Sequence, residues 1–94
     1  MTETIWKFEI EVDDKIKIEM PKNSEILCVQ VQNGKPCIWA KVIKENSKEI
    51  RFFTVFGTGH EIKEHNLNYI GTFQLFEGRF VGHLFEIKPW PILY

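Results

Sequence analysis

The stretch Ile26-Leu27-Cys28-Val29-Gln30-Val31-Gln32-Asn33-Gly34-Lys35-Pro36-Cys37-Ile38-Trp39-Ala40-Lys41-Val42 decides the fold. Two runs rich in β-branched and apolar residues flank Asn33-Gly34, a dipeptide that accepts the positive φ angles of a tight hairpin turn. Whether the loop holds Asn33-Gly34 alone or extends through Pro36, Leu27, Val29 and Val31 share a face with Ile38, Ala40 and Val42. The opposite face carries Cys28, Gln30, Gln32, Cys37, Trp39 and Lys41. Cys28 and Cys37 lie on that face but are never directly opposed. With a tight turn they are diagonal neighbours about 7–8 Å apart by Cα, too far for a disulfide, so two reduced thiols are expected. Trp39, set among Gln and Lys, faces either a second packed layer or a contact surface.

Outward from this hairpin the same period-2 pattern continues in both directions. Towards the N-terminus, Trp6, Phe8, Ile10 and Val12 alternate with Lys7, Glu9 and Glu11, and Ile16, Ile18 and Met20 alternate with Lys15, Lys17 and Glu19. These runs predict a second hairpin, with Asp13-Asp14-Lys15 as the loop that aligns Val12 with Ile16. Pro21 ends it. Towards the C-terminus, Ile50, Phe52 and Phe56 fall on one face and Arg51, Phe53 and Val55 on the other. A strand apolar on both faces predicts a central position in its sheet, and the charge of Arg51 there calls for a partner or a ligand.

A last hairpin runs from Tyr69 to Ile87, with Glu77-Gly78 as its turn. That register sets Phe73 against Gly82, Leu84 against Gly71, and Thr72 against His83; large side chains then cover bare glycines. Both faces hold large apolar residues, and the sequence leaves open which is buried. The segment from Lys88 to Tyr94 contains Pro89 and Pro91 and cannot be a central strand. It reads as an apolar tail whose Trp90, Ile92 and Tyr94 dock elsewhere. About seven short strands with frequent turn signals predict a single all-β domain over residues 1–94, an antiparallel β-sandwich or small barrel.

Chemistry is expected where the apolar run ends at Val55-Phe56-Gly57-Thr58-Gly59-His60-Glu61-Ile62. Gly57 and Gly59 allow backbone amides to turn inward as an anion-holding nest, to which Thr58 and His60 add donors. The alternative is a plain strand exit that needs positive φ. No strand-to-helix context or following lysine supports a phosphate-loop reading. The connection from Gly57 to Asn68 is long for its kind and has room for a short helical turn between Glu61 and Leu67. His60, His65 and His83 do not fall at a metal-ligand spacing, and neither cysteine has a Cys-x-x-Cys partner, so no metal or cofactor is expected.

Composition narrows the classes of partner. With 12 Lys plus Arg against 13 Asp plus Glu, no basic field draws in a nucleic-acid polymer or an anionic membrane. The N-terminal residues lack a signal-peptide pattern, and no run approaches a membrane-spanning length, which predicts a cytoplasmic location. Eight Phe and three Trp are many for 94 residues, and those that a core cannot hold face a partner.

Several strings together resemble a family of small bacteriophage and prophage proteins. They are Trp6-Lys7-Phe8, Met20-Pro21-Lys22 with Glu25-Ile26-Leu27, Val29 to Gln32 before Pro36 to Ala40, Phe56 to Ile62, and Tyr69-Ile70-Gly71-Thr72-Phe73-Gln74. The resemblance runs from about residue 5 to residue 86, and the ending from Lys88 onward departs from it. It transfers no activity and no catalytic residues. It implies phage ancestry, and with that a counter-defence role in the host cell. The expectation is a non-enzymatic, homo-oligomeric binding protein that sequesters a nucleotide-type immune signal: Gly57, Thr58, Gly59 and His60 hold a phosphate, Arg51 neutralises it, and Trp39 or a tail aromatic stacks a base. Protomers would meet through the Trp39 face or through Trp90, Ile92 and Tyr94. The alternatives are an inhibitor that covers a host defence protein, a small hydrolase with His60 or His83 as base, and a minor virion component.

Overall fold

The computed structural model describes residues 1–88. It is an all-β sandwich of seven strands: β1 (Glu3–Glu9), β2 (Ile16–Pro21), β3 (Glu25–Gln32), β4 (Lys35–Ile43), β5 (Lys48–Gly57), β6 (Leu67–Leu75) and β7 (Phe80–Ile87). A three-stranded sheet has the order β1-β4-β3 and a four-stranded sheet the order β2-β5-β7-β6, with every pairing antiparallel. The two sheets do not close into a barrel. None of the described residues forms a helix long and apolar enough to cross a membrane.

The β3–β4 hairpin turns on Asn33 and Gly34 alone, both with positive φ (52° and 77°), and Gln32 pairs with Lys35. In this register Cys28 opposes Trp39 and Cys37 opposes Gln30, so the cysteines are diagonal, and both are free. The predicted inward set needs two corrections: Val31, opposite Pro36 beside the turn, is 38% exposed, and Leu27 does not face the core. A bulge between Ile26 and Cys28 places Ile26, not Leu27, opposite Ala40, and Leu27 is exposed. An extra residue in one strand inverts the facing of everything before it.

The predicted β1–β2 hairpin does not form. β1 pairs with β4, with Trp6 opposite Ala40 and Phe8 opposite Ile38, while β2 pairs with β5 in the other sheet. Residues 10–15 cross between the sheets instead: the Ile10 amide donates to the Pro36 carbonyl (3.0 Å) and the Val55 amide to the Asp13 carbonyl (3.1 Å). The Asp13 carboxylate accepts the Asp14 amide at 2.7 Å. Hydrogen bonding from Asp14, then from the Lys15 amide, holds that carboxyl below its ordinary pKa. Alternation marked the buried face of both strands correctly, but partner choice rests on which long-range pairing completes two packed layers.

β5 is central, flanked by β2 and β7. Its inward residues Phe53 and Val55 join Ile16, Ile18, Met20, Val29, Ile38, Phe73 and Leu84 in one core. Arg51 also faces inward, where it forms a fork with Glu86 of β7: Nε donates to Oε2 at 2.7 Å and Nη2 to Oε1 at 2.8 Å. Its Nη1 donates to the Ser24 carbonyl at 2.6 Å. The pair is buried, with side-chain exposures of 10% and 3%. Hydrogen bonding to Glu86 raises the Arg51 pKa further above its ordinary value.

The β6–β7 register is as predicted: Phe73 opposes Gly82, Gly71 opposes Leu84, and Thr72 opposes His83. The buried face is the one carrying Phe73, Leu75, Gly82, Leu84 and Glu86. A Cβ on Gly82 would lie 2.7 Å from Phe73 Cζ and 3.0 Å from Val55 Cγ1. Gly82→Ala is therefore expected to lower stability by about 1–3 kcal/mol through overpacking, read as a drop in thermal midpoint. The sheets come closest between β3 and β6, where a Cβ on Gly71 would sit 2.9 Å from Val29 Cγ1.

Candidate functional site

The outer face of the four-stranded sheet, opposite its core residues, places the Gly57 turn beside an aromatic shelf. β5 ends at Gly57, which pairs with Gly82, and the chain then reverses, with the His60 amide donating to the Gly57 carbonyl at 3.1 Å. Gly59 has φ of +88°, as the third position of a type II turn demands. Gly57 is glycine for another reason: a Cβ there would meet the His60 ring at 3.0 Å. The imidazole folds over bare backbone.

Behind the turn, the outward residues of β5, β6 and β7 line up across the sheet because alternate residues share a face. Phe56 opposes His83 on β7, while Phe85 opposes Tyr69 on β6. The Phe85 ring stacks edge-on to Phe56 (centroids 5.7 Å) and tilted against Tyr69 (5.3 Å). Alongside runs a chain of hydroxyls and imidazole. Tyr69 OH lies 2.6 Å from Thr72 Oγ1, Thr72 Oγ1 lies 2.9 Å from His83 Nδ1, and His83 Nε2 lies 2.7 Å from Thr58 Oγ1. A neutral imidazole donates at one nitrogen and accepts at the other, and freely rotating hydroxyls satisfy either tautomer.

Between shelf and turn lies an open cleft of about 350 Å3, lined by Phe56, Gly57 to His60, Ile62, Tyr69, Thr72, His83 and Phe85. That volume is within the range of small-molecule sites, which combine apolar walls with a few placed polar groups. Tyr69 and Ile62 remain 57% and 49% exposed, leaving apolar surface for a ligand to cover. Among the described residues, none that lines the cleft is Lys or Arg. Among the described residues, no three His, Cys, Asp or Glu side chains form a metal-holding group.

Of the predicted site residues, the fold brings Gly57, Thr58, Gly59 and His60 together at one lip of the cleft. Arg51 is not among them. It lies six residues up the same strand, about 20 Å away at the rise of a β-strand, faces the core, and spends its donors on Glu86 and Ser24. Trp39 is also elsewhere. It lies on the outer face of the other sheet, half-buried between its cross-strand neighbours Lys7 and Cys28, with the Lys7 ammonium 5.9 Å from its ring centroid. Trp90, Ile92 and Tyr94 lie outside the described residues. The predicted helical turn within residues 61–67 is not formed.

The sequence reading missed the shelf of Phe56, Tyr69 and Phe85 and the part played by Thr72 and His83. The signal was partly present, since Thr72 was already set opposite His83. What joins that pair to the Gly57 turn is the β5–β7 pairing, a contact between segments some 25 residues apart that no local pattern encodes. In comparison with known proteins, no curated protein and no solved structure matches the chain. The chain belongs to the family described as Domain of unknown function (DUF7352), whose match spans residues 1–91.

Proposed function

We propose that this is a non-enzymatic binding protein of phage origin that holds a small nucleotide-type ligand in the Gly57 cleft and thereby withdraws a signal of host immunity. The observation that carries this reading is the meeting of a three-ring aromatic shelf with a glycine-built turn and a Thr-His-Thr chain in one cleft. A base or ribose would cover Tyr69 and Phe85, and the phosphate would rest against Thr58, His60 and the turn amides. Stacking falls to Tyr69 and Phe85 in place of Trp39.

The charge of the cleft narrows the ligand. A terminal phosphate carries about two negative charges and is met by Arg or Lys. The lining offers neither, and residues 89–94 contain no charged side chain. A phosphodiester, with a single charge, can be held by hydroxyls, amide N–H groups and imidazole. Cyclic nucleotides and cyclic dinucleotides therefore fit better than mononucleotide or polyphosphate ligands. The biological setting, a counter-defence protein in the host cytoplasm, is supported by the phage resemblance.

Isothermal titration against cyclic dinucleotides, cyclic mononucleotides and ADP-ribose derivatives tests the reading. Binding at micromolar affinity or tighter is expected. Tyr69→Ala should weaken it by about 1–3 kcal/mol, the usual contribution of one aromatic–base stack. Absence of binding across the panel would sink the proposal. The exposed Tyr69 and Ile50 of this sheet, with Ile62 in the β5–β6 connection, favour a second reading, in which the aromatic face covers a host defence protein. Retention of one host protein by the wild type and its loss with Tyr69→Ala, without nucleotide binding, would select that reading.

A further inference from the structure

The β6–β7 turn breaks the rule by which turns choose their residues. Residues Phe76, Glu77 and Gly78 all have positive φ (53°, 57° and 86°), closed by the Gly78 amide donating to the Leu75 carbonyl and the Arg79 amide to the Phe76 carbonyl, each at 3.1 Å. Asn, Asp and Gly suit such positions, whereas a bulky side chain there is a strained outlier. Phe76 is nonetheless 70% exposed, so the ring contributes little to the core that could offset the strain. A residue that suits neither its turn nor its solvent points to a contact made outside the chain.

Next to this ring is a second cavity, of about 360 Å3, which among the described residues shares no lining residue with the Gly57 cleft. Its apolar walls are Ile10, Val12, Pro36, Leu75 and Phe80, with Phe76 at the rim. It opens where the residues 10–12 crossing, the β3–β4 turn and the β6–β7 turn meet. We infer that this end of the sandwich is a self-association surface, on which Phe76 of one copy enters the apolar cavity of a second copy.

Two features select a second copy as the occupant. Knob and hole are side by side on one chain, so a two-fold axis between two copies seats both rings at once, as a self-complementary interface requires. The charges around them are also balanced: Glu11 and Glu77 stand with Lys35 and Arg79. Face-to-face apposition can then set acid against base, whereas a rim of one sign would repel its own copy. Val12, 43% exposed at the cavity mouth, is covered in the pair.

Sedimentation velocity on the full chain, from micromolar to millimolar concentration, tests this with two substitutions. The wild type should form dimers as concentration rises. Phe76→Asn removes the knob and Val12→Asp charges the hole, and each should leave a monomer over the same range. Phe76→Asn has a second signature: because Asn suits a positive φ, its thermal midpoint at dilution should equal or exceed the wild type by up to a few degrees. A wild type that is monomeric throughout overturns the inference, as does a dimer that survives both substitutions. A lower midpoint for diluted Phe76→Asn would assign the ring to the chain's own fold and overturn it as well. So would a monomeric wild type that captures a host protein through Phe76, since the occupant would then be foreign.

Discussion

Arg51→Met is expected to cost about 3–5 kcal/mol of stability, because it leaves the Glu86 carboxylate buried without its cation. For a domain whose whole stability is on the order of 5–15 kcal/mol, that is a large share. The geometry is the reason: both guanidinium nitrogens of the fork lie within 2.8 Å of the Glu86 oxygens, and the third donor closes the Ser24 carbonyl. The double substitution Arg51→Met with Glu86→Leu should recover most of the loss, since well-packed apolar pairs replace buried ion pairs at little cost. Recovery should fall short by about 1 kcal/mol for the Ser24 carbonyl, which loses its donor. Urea unfolding followed by circular dichroism measures all three proteins. A single substitution that costs less than about 1 kcal/mol would show that the pair is not desolvated, and would return Arg51 to the roster of ligand-binding candidates.

Phe53→Ala carries the other large effect, about 3–5 kcal/mol, the usual range for removing a buried aromatic ring. Phe53 is wholly buried on the central strand β5, between Ile16 of β2 and Glu86 of β7. The control lies three residues earlier: Ile50 faces outward and is 51% exposed, so Ile50→Ala should stay within about 0.5 kcal/mol. Equal losses from the two would mean that the β5 facing is wrong. The contrast separates burial from β-propensity, because both substitutions put the same residue into the same strand.

For the candidate site, legibility divides along the same line as for the fold. The Gly57-Thr58-Gly59-His60 turn stood out because two glycines in four residues mark a backbone requirement, and both turn out to have one: positive φ at Gly59, a close ring at Gly57. Arg51 drew notice as a charge on a strand apolar on both faces. A partner and a ligand were equally compatible with that pattern, and only the placement of Glu86 on the neighbouring strand decides between them. Trp39 was placed on the hairpin face with Cys28 and Lys41, but not on the sheet whose outer surface that face would form. Which sheet a strand joins fixes which outer face its side chains occupy, and β4 and β5 went to different sheets.

The sequence by itself determined what depends on near neighbours. Asn33-Gly34 set the β3–β4 turn because few other residues accept two successive positive φ angles. The alternation of Trp6 with Lys7, or Ile18 with Lys17, marked inward and outward residues because side chains leave a strand with period two. The Glu77-Gly78 turn set the β6–β7 register, and that alignment lets the large side chains of Phe73 and Leu84 cover the bare glycines opposite them. The tertiary structure alone decided that β1 joins β4 and β2 joins β5, that a bulge turns Ile26 inward, that Arg51 meets Glu86, and that His83 reaches Thr58. Each of these is a choice among partners distant in sequence and equally suited in local pattern. The choice is made by the area that two sheets bury together, which no single segment carries.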